Sequence, residues 1–156
     1  MRRKAPQEVD LKKIVAAVRC AERVFLIGNG GSYANAMHIA GDLQMVGINA
    51  AVLDPANLTR IANDFSYNKV FSNWLELVAT HKDLLIALSG SGNSLNIREA
   101  VMTARRKKVP IVGVTMDARS VLARYATYPV VRGANMQRTE ENQIMFGHTL
   151  MKALRG

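Results

Sequence analysis

The fold is decided by an apolar run that passes directly into a glycine-rich turn, Val24-Phe25-Leu26-Ile27-Gly28-Asn29-Gly30-Gly31-Ser32. A short, continuously apolar run that ends at glycine is typical of a strand buried on both faces of a parallel sheet. The chain repeats the pattern at Leu84-Leu85-Ile86-Ala87-Leu88-Ser89-Gly90-Ser91-Gly92-Asn93-Ser94. Helical periodicity follows each turn, so both stretches predict a strand, a turn and a helix in that order.

Both turns have the composition of an anion-binding loop. A glycine-rich turn between a strand and a helix lets backbone N–H groups converge, and the helix N-terminus adds a favourable dipole. Serine hydroxyls add donors without adding charge. Glycine and serine are also ordinary loop residues, so one such turn is a weak indication. Two of them at the ligand-binding edge of a parallel sheet predict a site for a small phosphorylated ligand.

The rest of the sequence alternates between helical and strand patterns. The periodicity predicts helices over 8–21, 32–46, 57–62, 66–80, 94–107, 121–126 and 138–154, and strands over 24–27, 48–53, 84–88, 110–115 and 128–131. We therefore expect an α/β fold, a three-layer α/β/α sandwich with a five-stranded parallel sheet in flavodoxin-like order. We expect a single domain over 1–156, with an N-terminal helix at 8–21, a core at 22–132 and a C-terminal helix at 138–154.

Composition favours a globular, non-membrane protein. Hydrophobic residues make up 49% of the 156 residues. No apolar run approaches the roughly 20 residues that span a bilayer, and no apolar segment follows the basic N-terminus, so we expect neither a membrane span nor a secretory signal. The single cysteine, Cys20, cannot form an internal disulfide, which favours a cytoplasmic location. We expect Cys20 to pack on an amphipathic helix.

The formal net charge is +9. Its densest clusters are Arg2-Arg3-Lys4 and Arg105-Arg106-Lys107-Lys108. The second ends a predicted helix, where cations complement the helix dipole; attraction of an anionic substrate or an acidic partner is the functional alternative. No nucleic-acid module is recognisable, so we do not expect nucleic acid as a partner. We also expect no nucleotide, because the third glycine of a dinucleotide fingerprint would fall at Tyr33 and no Walker-type loop is present.

Three motifs carry a resemblance to a known family: Gly28-Asn29-Gly30-Gly31-Ser32, Asn63-Asp64-Phe65 and Ser89-Gly90-Ser91-Gly92-Asn93-Ser94. Together they resemble the sugar isomerase (SIS) domain. With Ala36-Met37-His38, the likeness narrows to bacterial phosphoheptose isomerases. This resemblance implies aldose–ketose isomerisation through an enediol(ate), from sedoheptulose 7-phosphate to D-glycero-D-manno-heptose 7-phosphate. It also implies a homo-oligomer, in this family a tetramer.

The resemblance also implies the site residues. For the sugar phosphate they are Asn29, Gly30, Gly31, Ser32, Asn63, Asp64, Ser89, Gly90, Ser91, Asn93 and Ser94. Asp42 stands where the family has its proposed glutamate base, and His148 matches the proposed acid. The family's zinc ligands would be His38, Asp42, Glu140 and His148, and two imidazoles with two carboxylates suit Zn²⁺. The chain departs from the family by Asp42 for glutamate, Val46 for arginine, Glu140 for glutamine and Gly90 for a hydroxyl residue.

Other interpretations of these residues stay open at the level of sequence. If Glu140 and His148 share one regular helix, roughly 12 Å of rise separates them. One metal ion then needs Glu140 to precede the helix, or a neighbouring subunit to supply one ligand. His38 or His148 could be structural, and Glu140 could be a first-turn acid. The chain could also be a non-catalytic phosphosugar sensor, or a protein-interaction scaffold resembling the initiator-associating protein DiaA.

Overall fold

The computed structural model describes residues 10–156. Its helices are α1 (Leu11–Cys20), α2 (Gly31–Met45), α3 (Pro55–Asp64), α4 (Val70–Val78), α5 (Leu95–Arg106), α6 (Val121–Tyr125) and α7 (Met136–Arg155). A short 3-10 turn, Tyr67–Lys69, precedes α4. The strands are β1 (Val24–Ile27), β2 (Ala50–Val52), β3 (Leu84–Leu88), β4 (Ile111–Thr115) and β5 (Tyr128–Val131).

The five strands form one parallel sheet in the order β2-β1-β3-β4-β5. This is the flavodoxin-like order, so the predicted fold class is confirmed. β1 and β3 are neighbours, with Leu26 opposite Ile86. Since the two serine turns follow these adjacent parallel strands, both emerge at the carboxyl edge of the sheet. The order reverses at this point, which is where open α/β sheets place their ligands.

Two apolar cores cover the two faces of the sheet. Alternate strand residues point to opposite faces, so Leu26 and Ile86 join one core while Phe25 and Leu85 join the other. The first core packs against α1, α2 and α7, and the second against α3, α4, α5 and α6. β1, β3 and β4 are buried along their whole length, and this accounts for their continuous apolar sequences, whereas the edge strands β2 and β5 are partly exposed.

The predicted elements differ from the structure mainly at their ends. β2 is Ala50–Val52 rather than 48–53, and the helix predicted over 66–80 is the 3-10 turn followed by α4. The predicted C-terminal helix begins two residues earlier, at Met136. Residues 8 and 9 of the predicted first helix lie outside the described residues. The expected packing of Cys20 is wrong, because Cys20 ends α1 and is exposed.

Three side chains of the basic cluster at the end of α5 contact neighbouring helices. Arg106 forms an ion pair with Glu76, Lys107 donates to the Glu76 carbonyl, and the Arg105 guanidinium lies 4.7 Å from the Tyr125 ring centroid. These contacts support a structural role for the cluster. The cluster Arg2-Arg3-Lys4 lies outside the described residues. Over residues 10–156, none of the helices combines the length and the hydropathy needed to cross a membrane.

Candidate active site

The first serine turn connects β1 to α2 through glycine. Gly30 has φ of +55°, a conformation that L side chains rarely adopt, and it stands at the N-cap of α2. Ser32 follows in the first turn of the helix and is 3% exposed. Tyr33, where a dinucleotide fingerprint has its third glycine, instead donates to the Leu53 carbonyl at 2.6 Å, and its burial raises the pKa of its phenol. Tyr33 therefore anchors α2 beside the end of β2.

The second serine turn is held closed by its own side chains. Ser89 Oγ accepts a hydrogen bond from the Gly92 N–H at 3.0 Å, and Ser91 Oγ accepts from the Asn93 N–H at 3.2 Å. Asn93 Oδ1 accepts from the Val121 N–H at 3.0 Å, which ties the turn to the start of α6. These bonds stabilise the conformation of the turn.

The serine hydroxyls of both turns are free to donate a hydrogen bond to a ligand. Ser32 Oγ accepts from Gln143 Nε2 at 3.0 Å, and Ser89 and Ser91 accept from backbone N–H groups. Ser94 stands at the N-cap of α5 but makes no capping bond with its side chain. Within residues 10–156, none of these four hydroxyls donates a hydrogen bond. A hydroxyl that only accepts from the protein has its O–H free to donate to an anion.

A pair of asparagine side chains joins the two turns. Asn29 and Asn96 exchange two hydrogen bonds, of 2.9 and 2.8 Å, and Asn96 is 2% exposed. Tyr67 donates its hydroxyl to Asn29 Oδ1 at 2.8 Å, which brings the 3-10 turn against the first serine turn. The structure therefore gives the Asn29 side chain a bridging contact to α5, the helix that begins just after the second serine turn.

A cluster of three side chains lies further along α2. His38 Nε2 lies 3.2 Å from His148 Nε2, although the two residues belong to different helices. Asp42 Oδ2 lies 3.3 Å from His38 Nε2 and 3.8 Å from His148 Nε2. The spacing of His38 and Asp42 on one face of α2 is the i,i+4 spacing, and α7 packs His148 against them. The histidine side chains are 51% and 57% exposed, so a core role for either is wrong.

The cluster has the donor set of a divalent-cation site. One atom from each of His38, Asp42 and His148 can be chosen so that all lie within 4.8 Å of one another. Asp42 Oδ2 is buried and accepts no hydrogen bond from any described residue, which is costly for a carboxylate oxygen. A cation at the point where the three atoms converge would supply the missing partner, and imidazole with carboxylate is a ligand set that Zn²⁺ favours. These residues therefore fit the group that the resemblance implies.

Glu140 stands outside this cluster. It lies within α7, so the alternative in which it precedes the helix is wrong, as is its placement among first-turn acids. Its carboxylate lies against Gly31, where a built Cβ would be 2.5 Å from Oε1. Glu140 thus faces the start of α2 and the first serine turn, whereas His148 faces His38. The chain brings together three of the four predicted metal ligands.

The Asn63-Asp64 motif ends α3 and is exposed. Asn63 Nδ2 donates to Asp64 Oδ1 at 3.1 Å, and neither side chain contacts a serine turn through a hydrogen bond among the described residues. Tyr67, three residues further on, supplies the contact to Asn29. Gly90, in the second turn, is covered by Met136, whose sulfur occupies the space that a side chain at 90 would need.

Sequence reasoning missed several residues that shape the site. Tyr67 and Asn96 fix the first turn, and Gln143 contacts Ser32 from α7. A signal existed for Gln143, because it is a polar residue on the helix face that also carries Phe146 and Leu150. All three are buried. No comparable signal marks Asn96 or Tyr67, since their partner is distant in sequence.

Comparison with known proteins agrees with this geometry. The family described as SIS domain matches residues 8–116, more than half of the chain. The phosphoheptose isomerase of Mycobacterium tuberculosis is 35% identical over 147 residues, which cover 88% of this chain and 75% of that protein. The phosphoheptose isomerase of Campylobacter concisus is 32% identical, covering 94% and 82%.

A solved structure shows the same fold. Phosphoheptose isomerase GmhA from Neisseria gonorrhoeae superimposes with a TM-score of 0.85 at 26% identity, covering 93% of this chain and 82% of that one. The sheet, the paired serine turns and the sequence matches thus define an SIS domain. Within that class, the chain belongs to the phosphoheptose isomerase family.

Proposed function

We propose that this chain is a phosphoheptose isomerase that converts sedoheptulose 7-phosphate to D-glycero-D-manno-heptose 7-phosphate. The names of its relatives support the substrate. The observation that carries the proposal is that α2 begins at one serine turn and carries His38 and Asp42 further along its length. One helix therefore links an anion-binding turn to a cluster with acid–base chemistry. We take residues 1–156 as one SIS domain.

The phosphate group is the anchor of the substrate. Ser32, Ser89, Ser91 and Ser94 offer O–H donors from two turns, and the N-termini of α2 and α5 add their dipoles. These turns are shaped by Asn29, Gly30, Gly31, Gly90 and Asn93. The two remaining residues of the proposed site, Asn63 and Asp64, lie at the C-terminal end of α3. From Ser32 to His38 the helix rises roughly 9 Å, a span that a phosphorylated sugar chain can bridge.

The reaction moves one proton between neighbouring carbons. Asp42 Oδ2 faces the two imidazoles, so we assign the base to Oδ1, which removes the proton from C1 of the ketose. The C1–H electron pair forms the enediol double bond as the C2 carbonyl oxygen gains a proton from His148 Nε2. The Asp42 carboxyl exchanges its proton with solvent and delivers one to C2, and loss of the O1 proton gives the aldose. The step is redox-neutral within the substrate.

His38, Asp42 and His148 would hold a zinc ion through the atoms that face one another, among them His148 Nε2. The positive charge of the ion would then take the place of the His148 proton in stabilising the negative charge on the substrate oxygen. Glu140 can complete that ligand set only from a neighbouring subunit.

The proposed homotetramer is consistent with the exposure of Met45 and Met145, on the two helices that carry the cluster. Sedimentation velocity at micromolar concentration tests the assembly. We also propose a cytoplasmic location, on the basis of the single cysteine.

Incubation with pentose, hexose and heptose phosphates tests the activity. We expect conversion of sedoheptulose 7-phosphate, followed by NMR of the product. Binding of a phosphosugar without conversion would instead indicate a non-catalytic sensor, and a protein that binds no phosphosugar would favour the interaction scaffold.

A further inference from the structure

Gln143 is a polar side chain in the apolar interface between α7 and α2. It is 0% exposed, and its neighbours on the same helix face are Phe146 and Leu150. Burying an amide costs free energy unless its hydrogen bonds are satisfied. A leucine or methionine at this position would fit the apolar face without that cost, so the amide calls for a further explanation.

The hydrogen bonds of Gln143 have a direction that the backbone imposes. The Glu140 carbonyl can only accept, so Asn35 must present its NH₂ group to it, at 2.9 Å. The same Asn35 Nδ2 donates to Gln143 Oε1 at 2.9 Å. Gln143 must therefore turn its own NH₂ group the other way, toward Ser32 Oγ at 3.0 Å.

The hydrogen bond from Gln143 to Ser32 determines whether the Ser32 hydroxyl can act as a donor. Because Gln143 Nε2 donates to it, the Ser32 oxygen is an acceptor, and its hydrogen must point elsewhere. Ser32 lies in the first turn of α2, where the N-terminal dipole favours an anion. The hydrogen of Ser32 is thus left available to donate to an anion at the start of α2.

We propose that Gln143 is a positioning residue for phosphate binding: through the relay Glu140 carbonyl–Asn35–Gln143, it holds Ser32 as a hydrogen-bond donor to the phosphate group of the substrate. The inference rests on the proposed phosphosugar site. It assigns to α7 a role in substrate affinity that is separate from the role of His148 on the same helix.

The test measures dissociation constants for inorganic phosphate by ³¹P NMR. Ser32→Ala removes the donor. It should weaken phosphate binding about tenfold, because the lost hydrogen bond is one to a charged group. Gln143→Met keeps the volume but lets the Ser32 hydroxyl rotate, so we expect a loss of about three- to tenfold. In the double variant, Gln143→Met should add nothing to Ser32→Ala, because it acts through Ser32 alone.

Gln44→Met is the matched control. It removes an amide near the C-terminus of α2 that donates to the Ala50 carbonyl of β2, away from the serine turns, and should leave phosphate binding unchanged. Asn35→Ala is a second variant, for use if Gln143→Met does not fold, because Asn35 is only half-buried. It frees the Gln143 amide to turn over, so it should also weaken phosphate binding, and only when Ser32 is present. With the sugar phosphate, Gln143→Met should raise KM with little change in kcat.

The outcomes separate this inference from the proposed function. If Ser32→Ala weakens phosphate binding while Gln143→Met and Asn35→Ala do not, the relay is wrong and the phosphate site stands. If Gln143→Met lowers only the melting temperature, or weakens binding equally on the Ser32→Ala background, Gln143 is structural and the inference fails. If neither the wild type nor any variant binds phosphate, the proposed function fails with it.

Discussion

His38 and His148 place their Nε2 atoms 3.2 Å apart, with Asp42 Oδ2 within 3.8 Å of both. Two imidazoles this close are favourable only if they share a proton or a positive ion, because two protonated rings would repel each other. Since α2 supplies one ring and α7 the other, the packing of these two helices creates the cluster.

We therefore predict that the protein binds zinc through this cluster. Protein purified without chelator should contain close to one equivalent of zinc, and His38→Ala should lose most of it, because one of the three converging ligands is gone. His81→Ala is the matched control, since His81 is an exposed histidine outside the cluster. Elemental analysis makes the comparison. Equal zinc in all three proteins would leave His38 and Asp42 as acid–base or structural residues.

Removal of the hydroxyl should lower stability at Ser120 and phosphate affinity at Ser94. Both are N-cap residues, but only Ser120 uses its side chain as a cap, accepting from the Ala123 N–H at 3.1 Å. Ser120→Ala should cost about 1 kcal/mol of stability. Ser94→Ala should leave the unfolding free energy unchanged and weaken phosphate binding. Denaturant titration and phosphate binding measure the two effects, and a stability loss in Ser94→Ala would show that its hydroxyl is structural.

Two glycines of the second serine turn should differ sharply in tolerance. Gly92 has φ of +64°, and a side chain there would meet Ser120 and Thr115, so Gly92→Ser should cost about 2 kcal/mol or more. Gly90 has no such backbone constraint, and a side chain there meets the end of Met136, a flexible and half-exposed side chain. Gly90→Ser should therefore cost much less. Thermal unfolding tests this order, and equal losses would contradict it.

Stability should depend on pH through Asp83, far from the site. Burial raises the pKa of Asp83, but hydrogen bonds from Arg23 and Thr80 outweigh it and hold the pKa below its ordinary value of 3.8. A lowered folded-state pKa stabilises the fold above the unfolded value, and this is lost as pH falls through the folded value. Asp83→Asn should therefore cost about 2 kcal/mol at neutral pH and progressively less below pH 3.8.

Glu22→Gln is the control for this prediction. It removes the carboxylate of an exposed pair, in which Glu22 lies 3.1 Å from Lys82, and should change stability little at any pH. A loss in Asp83→Asn that stays constant down to the most acidic pH would show that packing, rather than charge, explains it.

The sequence was sufficient to predict the sheet and the two turns, because each depends on local pattern. The β3 residues 84–88 and the β5 residues 128–131 have the predicted bounds, since an apolar run and its flanking turn specify a buried strand. Asp42 and His38 could be paired from their spacing alone. The side-chain relay through Gln143 could not be predicted, because Ser32 and Gln143 are 111 residues apart and the directions of their hydrogen bonds depend on packing between helices.

The central claim is that Asp42 moves a proton on a phosphosugar held by the serine turns. The most direct test is to incubate the protein with sedoheptulose 7-phosphate in D₂O and follow deuterium at C2 of the product by NMR. Wild-type protein and the control Asp10→Asn should form a deuterated aldose. Asp42→Asn should bind the sugar phosphate and form none, because the base is gone. Product formation by Asp42→Asn at the wild-type rate, or wild-type binding with neither conversion nor deuterium exchange, would contradict the account.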